Sequence, residues 1–397
     1  MPRLSLVDDV WEVAQDGVRL VIVAAGKQTV RRFISPDHAK VQLDKLVAEK
    51  LAAGWVRSAA PVIPPSVEPA EPREPALEAA LAADPYDAQA YSVYGDWYQS
   101  QQHPRGELIA LQLAEEEDGQ TEKLRAAVRN HLARYRAVLL GELAQLDVEG
   151  ASPFGWRFGF IHRLEMLDGN GGDLEELLRR TLRHPSGRFL AEVSARIHSS
   201  SLDAILTELA GVPTLRELSI ATAGTLTDTS PLARPAKLTK LVLKGNVPDD
   251  QPSVLAGLAR VAPTLESLML RVKGTGVWSG LAPLFGRRDL ALRHLGMRSP
   301  GLVDPAICAL ADGPLAAHVE TLDIALTDPD DALRALLAKR DRFASLRVLK
   351  LTFDRVVPKA LAALRGSIAK VIDDNHYDPD DDYTHEDHED LYDEVQE

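Results

Sequence analysis

In the second half of the chain the apolar positions repeat as L-x-x-L-x-L. The copies are Leu215/Leu218/Ile220, Leu238/Leu241/Leu243, Leu265/Leu268/Leu270, Leu292/Leu295/Met297, Val319/Leu322/Ile324 and Leu346/Leu349/Leu351. Their first positions lie 23, 27, 27, 27 and 27 residues apart. Alternation inside each copy predicts a short strand with one buried face. Weaker copies at Ile161/Leu164/Met166, Leu190/Val193/Ala195 and Ile368/Val371 extend the array to about nine strands. Between strands, segments such as 254–259, 307–310 and 332–337 are apolar at helical spacing, so each unit reads as one strand and one helix. One such unit cannot hide its leucines, whereas stacked neighbours share a continuous core.

The first half follows other patterns. Trp11 to Ala14, Arg19 to Val23 and Gln28 to Ile34 predict strands, the first two joined at Asp16-Gly17. Ser35-Pro36 caps a helix whose apolar face is Val41, Leu43, Leu46, Val47 and Leu51, ending at Gly54. Six prolines between 61 and 75 then predict a semi-rigid linker. Helices are expected over 75–84 and 88–101, and one continuous helix over 121–146, where Leu124, Val128, Leu132, Tyr135, Leu139, Leu143 and Leu146 form a stripe. Trp97 is the expected core anchor of the helical module, with Asp96 and Arg105 capping or pairing at its helix junction. The aromatic run 154–160 is expected to seal the first edge of the array.

These segments carry three resemblances. Asp16-Gly17, Phe33, Ser35, Ala39, Lys45-Leu46-Val47, Lys50 and Gly54-Trp55-Val56 resemble the second half of a WGR domain, although the naming triplet is replaced by Val23-Ala24-Ala25-Gly26-Lys27. That resemblance implies a small sheet-plus-helix module, of a kind that contacts DNA ends in eukaryotic poly(ADP-ribose) polymerases. Asp84-Pro85-Tyr86-Asp87, Tyr94, Asp96-Trp97 and Pro104-Arg105-Gly106-Glu107-Leu108-Ile109 resemble the bacterial, myxobacterial-type repeat-companion domain, which implies neighbouring repeats. The repeats are similar to leucine-rich repeats of the ribonuclease-inhibitor kind, except that the Asn after the strand survives only as Asn246. The expected fold is therefore α/β, a leucine-rich-repeat solenoid with a concave parallel sheet and convex helices. A WGR-like α+β domain (1–58), a linker (59–75) and a helical module (76–149) precede the repeats (150–372).

Charge alters this picture in one place. The chain of 397 residues carries a net charge of −14, but 373–397 holds 13 acids and no Lys or Arg, leaving the rest near −1. That segment is expected to be a disordered acidic tail. Its three histidines offer no metal spacing, and no metal or other cofactor is expected. A single cysteine, Cys308, excludes intramolecular disulfides and reads as helix packing. No apolar run approaches the roughly 18 residues of a membrane span, and no secretory leader is recognisable, so a cytoplasmic location is expected.

Within each strand the outward, concave positions are those flanking the second and third apolar residues. They bring Lys240, Val242, Lys244, Met269, Arg271, His294, Arg298 and Lys350 to one face, a basic cluster suited to a partner protein with an acidic surface. The acidic tail is long enough to compete for it. No phosphate loop, nucleophile elbow or zinc motif is present, so the chain is not expected to be an enzyme. The expected function is a protein-binding scaffold or adaptor. The alternative is a nucleic-acid-binding regulator, in which Lys27, Arg31 and Arg32 of the WGR-like segment meet phosphates rather than forming a solvated strand face. A third possibility is an enzyme subunit with no active site of its own.

Overall fold

The computed structural model describes residues 3–6, 9–16, 19–24, 27–32, 36–53, 55–57, 71–117, 119, 121–147, 152–166, 174–197, 202–226, 228–247, 252–273, 277–298, 304–326, 329–353 and 358–374, with most side chains from residue 40 on. The chain divides into two units, 1–72 and 73–397.

In the first unit, β1 (Arg3–Leu6), β2 (Asp9–Asp16), β3 (Arg19–Ala24), β4 (Lys27–Arg32) and β5 (Val56–Arg57) make an antiparallel sheet ordered β4-β3-β2-β1-β5. The expected hairpin at Asp16-Gly17 pairs Asp16 with Arg19. α1 (Pro36–Ala52) contacts β2 and β3. Its buried face is narrower than its apolar spacing suggests, since Val47 is buried while Val41 is 62% and Leu51 38% exposed. The side chains of Lys27, Arg31 and Arg32, and most of the linker, lie outside the described residues.

The second unit opens with α2 (Pro75–Ala83), α3 (Ala88–Ser100), α4 (Pro104–Glu117), α5 (Glu122–Arg134) and α6 (Arg136–Leu140). The expected continuous helix is thus divided. Thr121 caps α5, but regular helix stops at Tyr135 and α6 ends at Gly141, whose φ of 45° suits glycine. Trp97 is only half-buried, and the fully buried anchors are Tyr91, Tyr94 and Tyr98. Asp96 is exposed. Arg105, wholly buried, instead donates to the Gly159 carbonyl and, at 3.0 Å, to Ser186 Oγ, and lies 4.5 Å from the Phe160 ring centroid. These contacts join the helical module to the start of the sheet, where Phe158 and Phe160 complete the aromatic cluster. The expected sealing segment is β6 (Phe154–Arg157), turning tightly into an antiparallel pairing with β7 (Phe160–Met166).

From β7 the strands run parallel and in chain order: β8 (Glu192–Ile197), β9 (Glu217–Thr225), β10 (Lys240–Asn246), β11 (Ser267–Lys273), β12 (His294–Arg298), β13 (Thr321–Leu326), β14 (Val348–Phe353) and β15 (Lys370–Asp374). Returns between them are α7 (Leu174–Arg183), α8 (Leu202–Leu209), α9 (Ala282–Phe285), α10 (Asp304–Asp312), α11 (Pro329–Ala338) and α12 (Pro358–Arg365). Short 3-10 turns take that place at Ser230–Ala233 and Pro252–Arg260. Leu218, Leu241, Leu268, Leu295, Leu322 and Leu349 pair in register and are buried in one core with the returns. Each such leucine contributes about 1.5–3 kcal/mol of burial.

A second device recurs without a sequence signature. The carbonyls of Arg216, Thr239, Glu266, Arg293 and Glu320 each accept two successive amides of the following unit, at 2.7–3.1 Å. This satisfies the backbone at the mouth of each strand from β10 to β14. Asn246 does not act as a buried ladder residue, because its side chain is exposed and only its carbonyl accepts the Leu226 amide, at 2.6 Å. Cys308 is half-buried rather than fully packed. β15 extends through Asp373 and Asp374, two residues into the expected tail, whose remainder lies outside the described residues. Among the described residues no helix is long and apolar enough to cross a membrane.

Candidate functional site: the polar face of the parallel sheet

Because side chains alternate along a strand, the face opposite the leucines presents three rows. The first row reads Arg163, Glu192, Glu217, Lys240, Ser267, His294, Thr321 and Val348. The second contains Ser194, Ser219, Val242, Met269, Gly296, Asp323 and Lys350. The third contains Arg196, Ala221, Lys244, Arg271 and Arg298.

All eight residues expected to bind a partner therefore share this face, but they do not form an exposed basic patch. Lys240, Val242, Met269 and Arg271 are buried, at 8%, 8%, 4% and 7% exposure. Lys244, His294, Arg298 and Lys350 are half-buried. The reason is the parallel ladder, which sets equivalent side chains about 4.8 Å apart so that long ones lie against their neighbours. Met269 folds across Gly296, where even a Cβ would stand 2.3 Å from its sulfur.

Their charges are met within the sheet as well. Lys240 Nζ lies 3.2 Å from Glu217 Oε2. Arg298 makes a two-pronged contact with the buried Asp323 carboxylate at 3.1 and 2.9 Å. His294 is held below the usual histidine range by burial, against the opposing pull of Glu320 and Glu266. The acidic tail expected to compete for this face lies, beyond Asp374, outside the described residues.

The structure draws attention instead to β7–β10. There a cavity of about 130 Å³ is lined by Arg163, Glu192, Ser194, Glu217, Ser219 and Lys240, with Val193, Leu218 and Val242. Glu192 and Glu217 stand side by side on neighbouring strands. Burial, followed by the Glu217 charge, pushes the Glu192 carboxyl above the ordinary carboxylate range. Arg163 Nε is committed to Glu165 at 3.3 Å.

The helical module reaches one of the lining residues, Glu192. Asp84 Oδ1 accepts the Tyr86 amide at 2.9 Å, Asp87 caps α3, and Arg216 donates to the Ala83 carbonyl at 2.8 Å. The Asp84-Pro85-Tyr86-Asp87 turn is thereby fixed so that the Tyr86 hydroxyl reaches Glu192 Oε1 at 3.5 Å. Burial raises the Tyr86 hydroxyl pKa, helped by Glu217 and Glu192, so it stays a donor. The Tyr86 ring meets His162 edge-on at 5.0 Å. His162 is 4% exposed, neither ring nitrogen has a hydrogen-bond partner, and burial brings its pKa down to about 3. Its 3.6 Å approach to Glu192 is consequently not an ion pair at neutral pH.

Sequence reasoning overlooked Tyr86, His162, Arg163, Glu192 and Ser194. The signal for three of them was available, since the weaker copies at 161–166 and 190–195 define the same outward positions as the strong ones. Tyr86 and His162 depend on a contact between distant segments. Among the described residues no cluster of His, Cys, Asp and Glu could hold a metal ion. No family model and no curated protein matches the chain.

Proposed function

We propose that residues 150–374 are a leucine-rich-repeat solenoid and that the protein is a non-catalytic adaptor, holding a partner protein on the polar face of its sheet. In this reading residues 76–147 are a repeat-companion module capping the first strands, and residues 1–57 are a WGR-like second contact. The supporting observation is the asymmetry of the parallel sheet. One face is filled by leucines and helices, while the other carries three in-register rows of mixed chemistry with a cavity between them. Repeat proteins use such extended faces for binding because neighbouring units present equivalent positions at fixed spacing.

Site-specific photo-crosslinking in the native host tests this. A crosslinker at Ser219 or Ala221 should capture one and the same protein, and one at Ala210 or Arg334 on the helical side should not. With that protein purified, Ser219→Arg should weaken its affinity at least roughly tenfold, as expected for a bulky charge forced into a contact. Capture only from the helical side, or an affinity indifferent to Ser219, would overturn the proposal. A labelled DNA duplex bound with steep salt dependence would favour the nucleic-acid alternative.

A further inference from the structure

We infer that the cavity in front of β7–β10 receives a basic side chain, lysine or arginine, of the bound partner. The inference rests on the reading of this face as the partner surface and adds which chemical group the partner places there.

The lining charges decide the sign of the ligand. Arg163 is paired with Glu165 and Lys240 with Glu217. Glu192 is the remaining charged group of the lining; the charges of Arg163, Lys240 and Arg157 favour its ionised form, but burial and the Glu217 charge outweigh them. Its neighbours on the module side are neutral, a Tyr86 hydroxyl at 3.5 Å and the unprotonated His162 at 3.6 Å. A carboxylate 26% exposed beside a second carboxylate is costly in its charged form. A cation entering the cavity would relieve both the burial and the repulsion from Glu217. The Ser194 and Ser219 hydroxyls, each a possible acceptor, line the same space and add hydrogen-bonding capacity for N–H donors. The volume of about 130 Å³ accommodates several waters or one ammonium or guanidinium head. An anion would meet Arg163 and Lys240, but both already hold carboxylates.

The test uses the full chain and agmatine, a guanidinium and a primary ammonium joined by a four-carbon stem, followed by amide and side-chain NMR. Saturable shifts confined to Ser194, Ser219 and the Glu192 carboxyl are expected, and N-butylurea, a neutral analogue, should produce none. Glu192→Gln, nearly isosteric, should weaken agmatine binding roughly tenfold, the usual worth of one charge-assisted hydrogen bond. Ser194→Leu should abolish binding by filling the cavity while keeping Glu192. Unchanged thermal unfolding of either variant excludes misfolding as the cause. Equal binding of N-butylurea, binding of acetate or phosphate in place of agmatine, or affinity unaffected by both variants would overturn the inference. Partner crosslinking from Ser219 that persists without any agmatine site would refute this inference alone and leave the adaptor reading standing.

Discussion

Replacing His162 with phenylalanine should make the protein less sensitive to acid without harming it at neutral pH. In the folded chain burial, reinforced by Arg157, holds the imidazole pKa near 3, against an ordinary value of 6.5. The unfolded chain therefore binds a proton in the interval between those values that the folded chain refuses. Stability from this group is intact above about pH 6.5 and is lost as pH falls toward 3. Linkage gives a loss of roughly 3 kcal/mol at pH 4.5 and about 5 kcal/mol once both states are protonated. Phenylalanine removes that proton site. It also removes two buried nitrogens that have no hydrogen-bond partner, so it should be neutral or slightly stabilising at pH 7.5. Urea unfolding followed by circular dichroism at pH 7.5 and 4.5, for both proteins, isolates the effect as a difference of differences. Other groups, among them Glu192 with its opposite sign, largely cancel in that comparison. An identical pH dependence for the two proteins would refute the reasoning, because His162 would then have to be solvated or protonated in the folded state.

Three further outcomes follow from the packing. Arg105→Ala should cost about 3–5 kcal/mol, by stranding the Gly159 carbonyl, removing the donor to Ser186 Oγ and emptying space beside Phe160, and should appear as an early urea transition in the fluorescence of Trp97 and Trp156. Asp323→Ala should cost about 3–5 kcal/mol in the same assay, since it leaves the half-buried Arg298 guanidinium without its two-pronged carboxylate. Leu322→Ala, at a fully buried position in the middle of the stacked core, should cost about 2–5 kcal/mol, measured as a shift of the urea midpoint at constant m-value.

The register of the parallel sheet was legible in the residues alone. A spacing of 27 between successive copies lets each strand return to the same height, and the 2-residue alternation then leaves one pairing that hides every leucine. Even the weak copies at 161–166 and 190–195 fall in that register. Which residues share the polar face followed from the same alternation.

What alternation could not convey is how far each of those residues reaches solvent, or which charge it meets. Lys240 and Arg298 read as exposed cations in a list of outward positions. In space their ladder neighbours include Glu217 and Asp323, whose carboxylates meet them, and the close strand spacing covers Lys240 and Arg271. The environment of the Glu192 carboxylate depends on segments more than 100 residues apart, because Tyr86 reaches it from a turn fixed by Asp84, Asp87 and Arg216. Local patterning encodes periodicity and the choice of buried face, which are properties of single strands. Burial of a polar group and displacement of its pKa arise from sums over neighbours brought together by folding, and those sums are set only once the units have stacked and the helical module has docked against them.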